Sequence, residues 1–298
     1  SAVEKEAAAW AVLWKEADTY IEPRFNINRV MLKQLLPIAI LEAAKAFLAD
    51  TGLGHDHISP RCLLRLSDDA ICALAKLFMA FERRGSWAEV LDLVLIVLLP
   101  RTDGGFRPIG LFPTIIRVWM RARIFIAKTW EAATAMPEIF GGPGKGAQAA
   151  AFQTAMIAET ANLDGDAFAA ALLDLVKAFE TVPHDVLVRA AHAKGYPLPL
   201  LRLCLAAYRL HRAIGVDGIY SRKVLATRGI TAGAGFAALE LRLLLLDLMQ
   251  ILQQKWGPEL VLKLYVDDLT LAWRARPDLL FRNLLAVIEF VVFFLERV

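Results

Sequence analysis

The sequence is short of the features that place a protein quickly. It has 3 cysteines in 298 residues, Cys62, Cys72 and Cys204, with no CxxC pair. That odd count indicates neither a disulfide scaffold nor a paired-cysteine zinc site, and it makes a reducing, intracellular compartment the default. Charge of one sign is scarce too: 34 Lys+Arg stand against 31 Asp+Glu, a net charge of +3, so the chain does not hold polyanions by bulk charge alone. Long apolar runs are missing as well. Runs such as 93–99 and 167–173 reach about a third of the roughly 20 residues a spanning helix needs and read as buried strands, not membrane spans. Disorder is excluded for most of the chain by a hydrophobic fraction of 57%, which leaves ample core for one large or two ordinary domains. No repeat and no low-complexity tract is visible. The opening Ser1-Ala2-Val3-Glu4-Lys5-Glu6 has neither an initiator Met nor a basic-then-apolar leader, so the chain reads as a fragment or a processed product.

Residues 1–89 read as helical, with helices over 7–20, 30–48 and 67–84; the last opens on Ser67-Asp68-Asp69, an N-cap followed by acids that suit a helix start. The period then changes. The apolar run 90–99, closed by Pro100, and the run 106–111 flank Thr102-Asp103-Gly104-Gly105, a hairpin pattern. A helical stretch follows over 114–130, then a glycine-dense loop over 141–146. The second half alternates: a buried strand over 168–175, helices over 185–194 and 199–210, a strand pair at 213–216 and 223–228, a loop over 229–236, a helix over 237–253, strands at 260–266 and 269–273 around Asp267-Asp268, and an apolar helix over 279–295. A helical front followed by mixed strands and helices predicts an α+β fold.

The residues with most chemical content are aspartates. Asp174 closes the apolar run Ala169-Ala170-Ala171-Leu172-Leu173, and Asp267-Asp268 sits at a hairpin tip between apolar strands. Two carboxylates a few ångströms apart cannot both stay ionised cheaply, and a hard divalent cation relieves the repulsion. If the strand ending in Asp174 lies beside the hairpin, three carboxylates from distant parts of the chain converge, a geometry that can hold two Mg²⁺ ions. Taken alone, an Asp-Asp turn is more often simply solvated; the flanking residues tip the balance.

Those flanking residues resemble a family. Leu173-Asp174-Leu175-Val176-Lys177-Ala178-Phe179-Glu180-Thr181-Val182-Pro183-His184-Asp185-Val186-Leu187 resembles the first palm motif of non-LTR (LINE-type) retrotransposon reverse transcriptases, and Tyr265-Val266-Asp267-Asp268 is similar to their YxDD box, in the same order. Arg228-Gly229-Ile230-Thr231-Ala232-Gly233 lies where that family has a glycine-rich loop before a palm helix, and Arg107-Pro108-Ile109-Gly110-Leu111 resembles its fingers motif. The resemblance covers residues 90–275. It implies a right-hand polymerase with fingers at 90–165 and a palm, an antiparallel sheet packed on helices, at 166–298. Residues 1–89 form a helical extension, and the thumb is expected to be absent because the chain stops at Val298.

The implied activity is RNA-directed DNA polymerisation, with an RNA template, a DNA primer and dNTPs as partners and two Mg²⁺ ions as cofactor, Mn²⁺ being able to substitute. By the resemblance, Asp174, Asp267 and Asp268 are the catalytic and metal-binding carboxylates, and the Leu175 carbonyl is a further ligand. Phe179 is the aromatic gate under the nucleotide sugar, while Arg101, Arg107 and Gly233 contact the nucleotide. Arg contacts to phosphate are charge-assisted and bidentate, which suits the triphosphate. Departures are visible: Ala232 stands where the family usually has Gln, Ala234 where Ser is common, and Glu180 where Asp follows the aromatic. They open a second reading, a decayed or truncated relative that only binds nucleic acid. A third, an RNA-dependent RNA polymerase, is disfavoured by the bulk of Phe179.

Weaker signals remain. Between Arg101 and Lys128 six basic residues face a single acid, Asp103, with Phe106, Phe112, Trp119 and Phe125 interleaved. That composition fits a nucleic-acid surface in which Arg117, Arg121 and Lys128 supply cations and rings stack on bases, or else a solvated helix face with its aromatics in the core. Tyr265 either packs under the primer terminus or belongs to the core. Lys145 in the glycine loop lacks the following Ser or Thr and the preceding strand of a P-loop. His55, His57 and Cys62 lack a fourth ligand, and His184 is expected to orient the helix that follows it. The helix over 279–295 is expected to cover the palm sheet.

Overall fold

The computed structural model describes residues 2–15, 20, 22–26, 32–102, 104–142, 144–216 and 218–296. In chain order its first elements are α1 (Ala2–Trp14), α2 (Pro37–Lys45), α3 (Asp68–Arg84), β1 (Val94–Pro100), β2 (Phe106–Leu111), α4 (Thr114–Ala133), α5 (Ala147–Leu163) and β3 (Ala167–Asp174). They are followed by α6 (His184–Lys194), α7 (Leu198–Tyr208), β4 (Arg212–Val216), β5 (Ile219–Tyr220), α8 (Ala237–Trp256), β6 (Leu260–Tyr265), β7 (Asp268–Ala275) and α9 (Pro277–Leu295). The chain divides into two compact units, Ser1–Trp130 with Phe179–Glu240 and Glu131–Ala178 with Leu241–Val298. Both are discontinuous, whereas the sequence motifs suggest consecutive segments.

The first unit holds a four-stranded sheet in the order β2-β1-β4-β5, with β1 antiparallel to β2 and parallel to β4. Helix α3 starts as its sequence predicts: the Ser67 hydroxyl accepts from the Ala70 N–H at 3.3 Å, Asp68 and Asp69 occupy the positive end, and Gly85 closes the helix at φ 77. Its buried face meets α4 through Glu82, which takes two guanidinium bonds from Arg123 at 2.7 Å and one from the Trp119 indole at 2.8 Å. Trp119 packs against Trp87 and Phe236. A second buried cluster joins α7 to the start of α8, where the Tyr208 hydroxyl donates to the fully buried Glu240 beside Cys204.

The second unit is built on the antiparallel sheet β3-β7-β6. Alternation sorts its faces: Leu262, Leu264, Leu269, Leu271 and Trp273 are buried, while Lys263, Tyr265, Asp268 and Thr270 line the opposite side under α5. Helix α9 packs on β3 and β7, as expected for a helix covering this sheet. The β6–β7 connection is the two-residue turn Val266-Asp267, with Val266 at φ 59. This is the left-handed region, which costs a β-branched residue about 1–2 kcal/mol. Among the described residues no helix is long and apolar enough to cross a membrane.

Several sequence expectations shift. The helix expected over 7–20 is α1, ending at Trp14, and residues 16–19 lie outside the described residues. The helix expected over 30–48 begins only at Pro37, which supplies the preset φ of a first turn; residues 30 and 31 lie outside the described residues, as does Asp103. The strand expected over 223–228 reduces to one bridge, Arg212 to Val224, and β4 pairs with β5 instead. Strand β3 is not buried: it lies at the sheet edge, and Leu172 is 79% exposed. Asp267 and Asp268 do not share the hairpin tip, because Asp268 is already the first residue of β7.

Two stability predictions follow from these packings. Burial pushes the Glu240 carboxyl up to about 7 from 4.5, so between those values the folded chain holds a proton that the unfolded chain releases. Stability from this group is complete below about pH 4.5 and falls by roughly 3 kcal/mol as pH rises to 7. Glu240→Gln should remove that component, so that the wild-type minus variant difference in urea unfolding free energy falls from about pH 5 to pH 7.5; a flat difference would refute it. Val266→Gly should relieve the turn and raise stability by about 1 kcal/mol, read as a higher urea midpoint with unchanged slope.

Candidate functional site

In the second unit the pairing of β3 on β7 sets Asp174 directly opposite Asp268, and the pairing of β6 on β7 sets Tyr265 opposite Asp268 as well. Opposed residues leave a sheet on the same face, with Cβ atoms about 4.5–5.5 Å apart, so Asp174, Asp268 and Tyr265 form one row across three strands. Asp267 occupies the adjoining turn, and its carbonyl accepts from the Leu175 N–H at 3.4 Å, tying the exit of β3 to the hairpin. The Leu175 carbonyl accepts from the Ala178 N–H at 3.2 Å, which leaves it one lone pair. Asp174 and Asp268 are exposed and Asp267 is half-buried.

Two members of this row, Tyr265 and Asp268, line an open cleft of about 410 Å³ between α5 and the sheet, together with Ala151, Phe168, Leu172 and Lys263 among others. Lys263 is the one buried cation among those lining residues. Its ammonium donates to the Ala150 carbonyl at 2.9 Å and to Gln153 at 3.3 Å and lies over the Phe140 ring; burial lowers its pKa. The sequence reading missed it, although a lone charge in the alternating run Leu262-Lys263-Leu264 is the signal that would have found it.

Two opposed carboxylates, a third in the next turn and a backbone carbonyl are hard oxygen donors, the set that Mg²⁺ or Mn²⁺ takes. By donor type the residues suit such an ion, and the register opposes two of them, Asp174 and Asp268. Among the described residues no three His, Cys, Asp or Glu side chains are gathered closely enough to hold a metal ion. The backbone therefore brings Asp174 and Asp268 together and leaves Asp267 beside them.

The other residues singled out in the sequence belong to the first unit. Arg101 and Arg107 are exposed at the β1–β2 hairpin, where Leu99 opposes Arg107 and the Arg101 N–H donates to the Gly105 carbonyl at 3.1 Å. The glycine-rich loop packs against this hairpin: the Gly110 N–H donates to the Ala232 carbonyl at 2.7 Å, and Gly233 has φ 101 with space for no Cβ, since one would come within 2.7 Å of the Gly110 oxygen. Half-buried Phe179 is held by the same loop, its carbonyl accepting from the Ile230 N–H at 2.8 Å. His184 faces the Gly229 carbonyl at 3.0 Å and so orients α6 against that loop. Phe179, Gly233 and the Arg107 hairpin thus share one framework, while the carboxylates are assembled in the second unit.

Next to Phe179 lies a buried charge pair. Arg212, 2% exposed on β4, has Glu180 as counter-charge, donates to the Tyr208 carbonyl at 3.1 Å and lies 4.7 Å from the Trp14 ring centroid. Burial lowers its pKa to about 10, against which Glu180 acts to raise it.

The basic stretch is only partly a surface. Arg123 is consumed by Glu82, and Phe112 and Trp119 are core residues, so the aromatics do not form a stacking ladder. Arg117 and Arg121 lie over the Phe47 ring at 5.2 and 5.5 Å and donate to the Gly52 and Ala46 carbonyls, while burial lowers the Arg117 pKa. Lys128 and Phe125, 51% exposed, remain at the surface. Lys145 donates to the Met136, Pro137 and Ile139 carbonyls, an internal role that explains the lysine without a phosphate.

The family model described as reverse transcriptase (RNA-dependent DNA polymerase) matches residues 99–295. Among curated proteins none matches the chain. A similar solved structure is that of apo telomerase from Candida tropicalis truncated from the C-terminal domain, at 10% identity and a TM-score of 0.47, covering 73% of this chain and 50% of that one; the chain thus spans about half the length of that protein. The α+β architecture, with an antiparallel sheet packed on helices, is that of reverse transcriptase fingers and palm. Because the family model runs from the β1–β2 hairpin through the aspartate row to α9, most of the chain, the protein belongs to the reverse transcriptase (RNA-dependent DNA polymerase) family.

Proposed function

We propose that this chain is the fingers and palm of a LINE-type reverse transcriptase, extending a DNA primer on an RNA template with dNTPs. The observation that carries the reading is the register that opposes Asp174 to Asp268 with Asp267 in the adjoining turn, inside the region matched by the family. Residues 90–165 carry the fingers motifs and 166–298 the palm motifs.

In this reading Asp174, Asp267, Asp268 and the Leu175 carbonyl would hold two Mg²⁺ ions, which would supply activation of the primer 3′-hydroxyl and neutralisation of the leaving pyrophosphate. Tyr265, on the same row, supports the primer end. Arg101 and Arg107, both exposed at the hairpin, take the triphosphate by charge-assisted hydrogen bonds. Phe179 stands under the sugar and excludes a 2′-hydroxyl by bulk, and the Gly233 backbone lies against the nucleotide. Arg117, Arg121 and Lys128 add phosphate contacts along the template.

A second reading, nucleic-acid binding without catalysis, draws on Ala232 and Ala234 and on carboxylates not gathered into a three-ligand group. Primer extension on poly(rA)/oligo(dT) with dTTP and Mg²⁺ separates the two. Wild-type chain should extend, and Asp174→Asn, Asp267→Asn or Asp268→Asn should each lower the rate at least about 100-fold with folding unchanged by circular dichroism, as loss of several kcal/mol of transition-state stabilisation requires. Binding without extension by folded wild type would select the second reading. Phe179→Val should raise relative ribonucleotide use about tenfold or more, the discrimination that a small steric change supplies; unchanged sugar selection would remove Phe179 from the gate.

A further inference from the structure

We infer that helix α1 braces the sugar gate: Trp14, acting through Arg212 and Glu180, fixes the backbone that carries Phe179 and so sets how strictly ribonucleotides are refused. The inference rests on the reading of Phe179 given above, and every residue in it belongs to the first unit.

Two independent routes run from the end of α1 to residues 179 and 180. The first is through side chains. Trp14 is 1% exposed and lies under the Arg212 guanidinium; Arg212 Nε has no hydrogen-bond partner among the described residues, and Glu180, 8% exposed, supplies the opposing charge. A buried guanidinium with an incomplete set of acceptors depends on its ring and its carboxylate, so a change at Trp14 is felt at Glu180. These three residues also line one small cavity with Gly110, Thr231 and Ala232, placing the glycine loop on the same contact.

The second route is through the backbone. The last carbonyls of a helix lack intrahelical donors. In α1 the last two are satisfied by the segment leading into the glycine loop: the Trp14 carbonyl accepts from the Thr227 and Arg228 N–H groups at 2.9 and 3.3 Å, and Arg228 Nε donates to the Leu13 carbonyl at 2.6 Å. The next two residues hold the gate segment, Gly229 N–H donating to the Val182 carbonyl at 2.7 Å and Ile230 N–H to the Phe179 carbonyl at 2.8 Å. The approach is close enough that a Cβ on Gly229 would lie 2.6 Å from the Glu180 backbone carbonyl oxygen. Both routes end on adjacent residues of the gate segment and act through it, so Trp14 and Arg212 are positioning residues.

The test is the ratio of kcat/KM for a deoxynucleotide to that for the matching ribonucleotide in single-nucleotide primer extension by the full chain. Arg212→Lys and Trp14→Leu should each lower the ratio about fivefold, Trp14→Phe, which keeps a ring, should stay within about twofold of wild type, and Arg212→Lys should add nothing in a Phe179→Val background, since coupling vanishes when its target is gone. Lower stability or a lower overall rate with an unchanged ratio would reduce α1 to a structural cover and overturn the inference, provided Phe179→Val does relax selection. An unchanged ratio in Phe179→Val would overturn the gate itself, a different signature. As a measurement free of activity, hydrogen exchange at the Gly229 and Ile230 amides should quicken in Trp14→Leu and Arg212→Lys while α3 amides stay as they are; unchanged exchange at both amides would also overturn it.

Discussion

The seating of β3 on β7 is the constraint on which the aspartate row depends. Asp174 opposes Asp268 only in one register, and because side chains alternate with a period of 2, a slip of one residue would turn Asp174 to the leucine face. Nothing in the acids themselves favours the observed seating, since like charges opposed across a sheet cost about 0.2–1 kcal/mol. The other face decides it. Leu269, Leu271 and Trp273 are buried on β7 opposite Leu173, Ala171 and Ala169 of β3, with α9 packed over both strands. Burial of each large side chain is worth about 1.5–3 kcal/mol, which exceeds the repulsion. The apolar core therefore holds the carboxylates in a position their own charge opposes, and a cation is the ligand that would profit.

Buried charge organises the first unit in a similar way. Glu82 with Arg123, and Glu180 with Arg212, are each removed from water. Such pairs add little net stability compared with apolar replacements, yet losing one partner strands the other at a cost of about 3–5 kcal/mol. They act as constraints on which packing is tolerated. Glu180 illustrates the point: as a departure from the family pattern its length is hard to interpret, whereas against Arg212 on β4 the carboxylate has a partner that a solvent-facing acid would not need.

What could be read in the sequence was local. The Ser67 cap, the limits of β2 and the β6–β7 hairpin each have a short-range cause, and so does the placing of Asp174 at a strand end. Longer-range facts were hidden. Helix α5, AQAAAFQTAMIAETANL, is rich in alanine and has no sharp apolar stripe to mark a face, so it went unread. Phe112 and Trp119 looked available for stacking on bases because composition does not report burial; the α3–α4 contact claims Trp119 through Glu82. The exposure of β3 depends on which strand ends the sheet, and the two units interleave along the chain. Neither is encoded within a window of a few residues.

The turn between β6 and β7 shows how the local and the distant combine. Val266 occupies a left-handed conformation for which Gly or Asn is the relaxed choice. It keeps that conformation because its surroundings over-determine the turn. On one side the Leu175 N–H holds the Asp267 carbonyl; on the other, β6 is paired beyond β7 by Phe140, whose N–H donates to the Leu264 carbonyl at 2.7 Å, and by Leu264, whose N–H donates to the Glu138 carbonyl at 2.9 Å. The chain then leaves past Gly141, where a Cβ would crowd the Val266 nitrogen at 3.3 Å. A turn gripped from both flanks cannot relax by changing its backbone, so strain of about 1–2 kcal/mol is retained where the acidic residue must be aimed. The stiffness belongs to the sheet, and the acid inherits its position from it.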